Sequence, residues 1–371
     1  MSFSLNDEQR AVRETFHRFA ESEIRPLAHS LDKEPRFPRE LFDDVGRLGF
    51  FGMRYPEPEG TGCDAMSYML AVEELAWGSL SVAAACCMQS LMGTWFLHRF
   101  ADPELRARLF VPALEGKVVG AICMTEPDAG SDLRGVSTRA ELRNGRWLLS
   151  GSKTWVTSAP VADFFTVLAR SGERTLGFFL LERDTPGLTV GRDIEKSGVR
   201  ASLTSEVAFD EAVATCLLGE PDQGIECLRE ILAEIRLMTA ALALGVARAA
   251  FEDATVYAGE REQFGRPIRK FQAIQAHLAE MAVDLEAARQ LTWWAARRSD
   301  QGLPSANEAA MAKLFASEAG LRICERASRV LASYGFATEY PVERYLRDIR
   351  FTLIGGGTSE ILRINIARGL A

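Results

Sequence analysis

Ile122-Cys-Met-Thr-Glu-Pro-Asp-Ala-Gly-Ser-Asp132 is where the character of the chain changes. An apolar run starting at Val118 ends here in a turn rich in Pro and Gly, so the stretch reads as a strand entering a loop. Such a loop aims backbone N–H groups and the hydroxyls of Thr125 and Ser131 at an electron-rich ring or a pyrophosphate. By turn chemistry alone it reads first as an ordinary strand end.

On the N-terminal side the chain is helical. Asn6 with Gln9 forms a candidate capping box, and Val12, Phe16 and Phe19 follow at helical spacing. Pro26 is expected to interrupt this helix, and Pro35 and Pro38 mark a connection. Further helices are expected over 41–51, 67–77 and 81–100, and Asp102-Pro103 starts another. On the C-terminal side the signals are short strands, with Arg143-Asn-Gly145 as a hairpin turn between 139–142 and 146–149. Long helical patterns return over 225–259, 272–299 and 306–333, with a last helix near 358–370. The chain therefore divides at 1–115, 116–222 and 223–371: helices, a β domain, helices.

Composition restricts the function. With 47% hydrophobic and 25% charged residues, the 371-residue chain has the make-up of a globular enzyme. A net charge of −8 argues against nucleic-acid binding, which rests on clustered Lys and Arg. The apolar stretches 80–97 and 237–251 contain polar residues or are too short, so buried helices are expected and no membrane span. Seven scattered cysteines without a C-x-x-C pair, and four histidines, give no metal site. The cysteine pattern and the absence of a signal-peptide pattern place the expected location in the cytoplasm.

Four further segments carry candidate chemistry. In Gly151-Ser-Lys-Thr-Trp-Val-Thr-Ser158, Trp155 offers a flat face to an aromatic ring. In Arg261-Glu-Gln-Phe-Gly-Arg-Pro-Ile268, the two outer arginines suit phosphates. Tyr334–Asp348 contains Glu339-Tyr-Pro-Val-Glu-Arg344. Ile354-Gly-Gly-Gly-Thr-Ser-Glu360 allows close backbone approach before a helix start. Each has a plain structural reading when taken alone: a packed core Trp, a solvated turn, a helix-entry loop.

Taken together and in order, these segments resemble the acyl-CoA dehydrogenase family, and the likeness spans nearly the whole chain. It rests on T-E-P-x-A-G-S-D at 125–132, K-T-W-x-T at 153–157, R-x-Q-F-G at 261–265 and E-Y-P-V-E-R-x-x-R-D at 339–348. The resemblance implies an α+β, mostly α fold, with an N-terminal helical domain, a central β-barrel-like domain and a C-terminal four-helix bundle, in a homo-oligomer (tetramer or dimer). It implies FAD as cofactor. Ile122, Met124, Thr125, Gly130 and Ser131 would line the flavin. Trp155 and Thr157, with Val156 between them, would flank the isoalloxazine. Arg261, Phe264 and Gln272 would reach the FAD of a neighbouring subunit. Thr358 and Glu360 would sit by the cofactor's other end. Ser131, Arg236 and Gly357 would lie at the substrate, an acyl thioester of CoA or of a carrier protein. Electron-transferring flavoprotein is the expected acceptor for a dehydrogenase.

The resemblance breaks at the catalytic base. The family removes an α proton with a carboxylate while the β hydrogen leaves as hydride to the flavin. One branch carries Glu just before the G-T of the last motif, and here that residue is Gly356. Another carries Glu just before the Arg that matches Arg236, and here that residue is Ile235. Glu234 is the candidate base that remains, turned by roughly 100° on a helix. A positioned base contributes about 10²–10⁴-fold. Arg329, Ala332 and Ser333 stand where the family has Gln and two glycines against the FAD of the adjacent subunit. Three functions stay open: acyl-thioester α,β-dehydrogenation; different flavin chemistry (enoyl thioester reductase, oxidase or monooxygenase); or a non-catalytic subunit supporting an active homologue.

Overall fold

A computed structural model describes residues 4–303 and 305–370. The N-terminal helices are α1 (Asp7–Phe19), α2 (Arg25–Lys33), α3 (Arg39–Arg47), α4 (Ala65–Gly78), α5 (Leu80–Cys87), α6 (Trp95–Phe100), α7 (Pro103–Leu105) and α8 (Val111–Leu114). The capping box at α1 is present: Gln9 N–H donates to Asn6 Oδ1 at 2.8 Å and Asn6 N–H to Gln9 Oε1 at 3.1 Å. Pro26 does not break the helical run. Ala20–Ile24 widens into a π turn, and Pro26 falls in the first turn of α2, where its missing N–H is not needed. The expected helix over 41–51 ends earlier, at Arg47, because Gly49 turns left-handed and leads into a short 3₁₀ turn.

The middle segment carries β1 (Gly120–Cys123), β2 (Arg139–Arg143), β3 (Arg146–Thr157), β4 (Phe164–Arg170), β5 (Leu176–Glu182), β6 (Leu188–Asp193), β7 (Thr204–Val213) and β8 (Cys216–Leu218). They form one mixed sheet in the order β6-β7-β3-β2-β4-β5-β8, with β1 parallel to β4. The β2–β3 hairpin turns at Asn144 and Gly145, both with positive φ, as a tight two-residue loop requires.

The C-terminal segment carries α9 (Gly224–Glu260), a small hairpin of β9 (Glu262–Gln263) and β10 (Arg266–Pro267), α10 (Gln272–Asp300), α11 (Ala306–Leu331), α12 (Pro341–Ile349) and α13 (Ser359–Arg368). Residues 237–250 of α9 are buried all round, so this helix is the axis of the molecule. It packs on α10, α11 and α12, and on α4 of the N-terminal part. The α4–α9 crossing depends on Gly245, where a Cβ would stand 2.3 Å from the Glu73 carbonyl oxygen. Next to it, Arg248 donates to both carboxylate oxygens of Glu74 at 2.7 and 2.5 Å. The Leu80–Phe100 segment has the length and hydropathy of a membrane span, but 89% of its most apolar 18 residues are buried inside the protein. All seven cysteines are free.

Candidate active site

Two walls build the site. The first is the β1 exit loop against β3. Burial pushes the Glu126 carboxyl up, but the Lys153 ammonium at 2.8 Å and the N–H and hydroxyl donors of Ser137 and Thr138 outweigh it, holding the group at about 2. Lys153 Nζ also donates to the Met124 carbonyl at 3.1 Å, and Thr154 N–H to the Thr125 carbonyl at 2.9 Å. The loop bearing Thr125, Gly130 and Ser131 is thus clamped from beneath by a buried ion pair. Ile122 is buried at its root, and Gly130 and Ser131 are exposed at its tip.

Lys153 and Trp155 sit two apart and would share one face of a regular strand. A break in the β3–β7 register between Lys153 and Val156 separates them. Lys153 turns inward, Val156 is buried, and Trp155, at φ 58°, stands 57% exposed. A large apolar side chain held outward in the left-handed region is the kind of strain found at ligand surfaces.

The second wall is α9 against the loop before α13. Gly356 has φ 71°, and a Cβ there would stand 3.1 Å from Ile235 Cγ2 and 3.4 Å from Thr239 Oγ1. Positions 235 and 356, far apart in the chain, therefore converge on one point. Both residues there are apolar. Around it stand two cations: Arg236 Nε lies 3.4 Å from the Gly356 carbonyl, and Lys313 Nζ donates to the Gly357 carbonyl at 2.7 Å. Thr358 caps α13 through Ile361 N–H at 3.3 Å, with Glu360 exposed beside it. Glu234 faces elsewhere in charge: both its carboxylate oxygens accept from Arg54 Nη2, at 3.0 and 2.8 Å.

The remaining candidates lie on the outer surface. Phe264, at the tip of the β9–β10 hairpin with φ 52°, is 93% exposed. Arg261 covers the Tyr334 ring at 5.8 Å, Gln272 opens α10, Arg329 pairs with Glu325, and Ser333 follows the left-handed Ala332. Within one chain these residues do not close over a ligand. Lys313, Arg54 and the Glu126–Lys153 clamp were missed as site residues in the sequence. The available signal was a lone charge inside an apolar helical stretch at Lys313 and, for the clamp, one charge in each of two motifs. The E-Y-P-V-E-R-x-x-R-D segment is a joint: Arg347 donates to Asp32, Glu343 and the Ser197 carbonyl, linking all three parts.

Three family profiles cover this frame: the acyl-CoA dehydrogenase N-terminal domain over residues 6–117, the middle domain over 121–212 and the C-terminal domain over 222–371. The chain belongs to the acyl-CoA dehydrogenase family. It is 56% identical to benzylmalonyl-CoA dehydrogenase of Aromatoleum aromaticum, over 99% of each chain. It is 39% identical to bovine mitochondrial short-chain specific acyl-CoA dehydrogenase, over 99% of this chain and 90% of the relative. Butyryl-CoA dehydrogenase of Megasphaera elsdenii has the same fold, with a TM-score of 0.96, 35% identity and full coverage of both chains. Like its relatives, the chain is an oxidoreductase of the acyl-CoA dehydrogenase type. The outward Trp155, the exposed loop hydroxyl of Ser131 and the clamped backbone beneath them fit the flavin that this family binds.

Proposed function

We propose that this acyl-CoA dehydrogenase performs an oxidative decarboxylation of a 2-carboxyacyl-CoA, with 2-carboxy-3-phenylpropionyl-CoA (benzylmalonyl-CoA) as the reference substrate. The observation that carries this reading is Ile235 packed against Gly356. Both acid positions known from the family meet at one point, and neither bears an acid. Glu234 does not replace them, because its carboxylate is held two-fold by Arg54. The relative with 56% identity acts on a malonyl thioester. Such a substrate already carries a carboxylate on its α carbon, so a base is not needed there.

In this reading the bond from Cα to the carboxylate breaks and CO2 leaves. Its electron pair would become the α,β double bond as the β hydrogen leaves with its own pair, and FAD, when bound, would supply this two-electron oxidation. The α C–H bond is kept, and the product is the enoyl-CoA without the carboxylate. Ile235 and Gly356 supply an apolar surface that keeps water and other bases from Cα. Ile122, Met124, Thr125, Gly130 and Ser131 would hold the flavin on one side, and Trp155, Val156 and Thr157 on the other. Thr358 and Glu360 would reach its far end. Arg261, Phe264, Gln272, Arg329 and Ser333 belong to a subunit contact in a homo-oligomer, where Phe264 would be covered. Electron-transferring flavoprotein is the acceptor that the family resemblance implies.

The test is anaerobic. FAD-loaded enzyme is mixed with 2-carboxy-3-phenylpropionyl-CoA and with 3-phenylpropionyl-CoA. Bleaching of the flavin by the first alone, with one CO2 released per flavin reduced, is expected. Flavin reduction without CO2, giving an enoyl product that keeps its carboxylate, would overturn the reading.

A further inference from the structure

Two other buried cations of this molecule, Arg248 and Lys153, have carboxylates in direct contact. Arg248 has Glu73 and Glu74, and Lys153 has Glu126. Lys313 and Arg236 do not. The Lys313 side chain is buried and donates to a carbonyl, Gly357 O. Arg236, partly buried, has one long contact, to Gly356 O at 3.4 Å. Neither forms an ion pair among the described residues. The acids in the field of Lys313 are Glu318 on its own helix and Glu360 on α13, and both face Arg363, at 3.0 and 3.9 Å.

Two like charges without counterions, placed behind a water-poor apolar surface, are costly unless an anion joins them. A glutamate at position 235 or 356 would be that anion. Here the protein provides none, and the cations bracket the very loop from which it is missing. Resting on the oxidative-decarboxylation reading, we infer that Arg236 and Lys313 form the seat of the substrate's own carboxylate, making the site selective for 2-carboxyacyl thioesters over plain acyl thioesters. The seat is a recognition device. An ion pair stabilises the carboxylate in the ground state, so its contribution falls mainly on binding rather than on the rate of CO2 loss.

The charge state agrees. Burial, and then the Arg236 charge on α9, push Lys313 down to about 7, against the opposite pull of Glu318 and Glu360. An arriving carboxylate favours the ammonium. Binding above pH 7 is therefore accompanied by proton uptake.

The probe is malonyl-CoA, which has the carboxylate but no β C–H bond and so cannot reduce the flavin. Acetyl-CoA is its partner without the carboxylate. Both are titrated into FAD-loaded enzyme, followed by the flavin spectrum and by calorimetry at pH 8 in two buffers of different ionisation enthalpy. Wild type is expected to prefer malonyl-CoA and to take up protons with it. Arg236→Gln and Lys313→Met should each weaken malonyl-CoA by about 10- to 100-fold while acetyl-CoA changes little. Arg236→Lys should recover part of the loss, and Lys313→Met should abolish the proton uptake. With 2-carboxy-3-phenylpropionyl-CoA, Arg236→Gln should raise KM more than it lowers kcat. Equal weakening of both ligands, or loss of FAD from the Arg236→Gln protein, would show that the cations serve the thioester or the cofactor and would overturn the seat. Absence of CO2 release with an intact malonyl preference would sink the reaction and leave the seat standing. CO2 release with a preference that both variants leave unchanged would sink the seat alone.

Discussion

At position 235 an isoleucine side chain touches the place where a residue-356 side chain would begin. Returning an acid there is the sharpest change available, because position 235 is helical and carries none of the strain that the left-handed φ of Gly356 imposes on a side chain. Ile235→Glu should raise flavin reduction by 3-phenylpropionyl-CoA by about 10²–10⁴-fold over wild type. It should also weaken malonyl-CoA, because the new carboxylate takes the cations. Anaerobic stopped-flow absorbance measures both, and an unchanged rate with unchanged affinity would remove position 235 from the chemistry. Lys153 is the second residue of consequence. Lys153→Met leaves the Glu126 carboxylate buried without its counter-charge, a loss of about 3–5 kcal/mol, seen in chemical denaturation together with reduced FAD content. The Glu126 carboxyl titrates at about 2 in the folded protein, below its ordinary value of 4.5. Its contribution is therefore full above 4.5 and disappears as pH falls towards 2. Glu126→Gln should flatten the stability profile over that acid window.

Among the elements, α9 does most to position the site. It runs from the half-buried pair of Glu234 and Arg54 through Ile235, Arg236 and Thr239 into the buried stretch that meets α4 at Gly245. At Gly245 the obstacle to a side chain is the Glu73 backbone carbonyl, which cannot rotate away. Gly245→Ala should therefore push α4 from α9 and cost about 1–3 kcal/mol, with a lower thermal midpoint. An unchanged midpoint would mean that the helices slide to make room. The π turn before α2 belongs to the same scale. The rule that proline ends a helix is local, and it is set aside when the turn before it widens and the proline lands where no N–H is required. β3 gives a second case, since its bulge at Trp155 reverses the side that alternation assigns.

For the molecule as a whole, the joint at α12 holds the three parts together. Arg347 ties Asp32 and Ser197, and the buried Asp348 accepts the Val199 N–H at 2.6 Å. Burial pushes the Asp348 carboxyl up to about 6 from an ordinary 3.8, against the pull of the Val199 N–H and of Arg344. The protonated form is favoured in the fold, so this group's contribution is full below 3.8 and is lost as pH rises through 6. Asp348→Asn keeps an acceptor for Val199 without the titration. The stability of that variant relative to wild type should rise between pH 4 and 7, measured by urea denaturation across that range. A constant difference would show that Asp348 does not titrate there.

Local pattern was enough for much of this protein. The helical period, the Asn144-Gly145 turn, the capping residues of α1 and the Pro/Gly loop after β1 are set by contacts within a few residues, so they were legible in order along the chain. The absence of an acid at 235 and 356 was legible too, since it is a matter of identity. What needed the tertiary structure was every relation between distant residues. Ile235 meets Gly356, Glu234 is taken by Arg54 across 180 positions, and Lys313 reaches Gly357 without a carboxylate in company. Periodicity states which side of an element is apolar. Which residue of another element it meets, and whether a charge finds its counter-charge there, is decided only by how the elements pack.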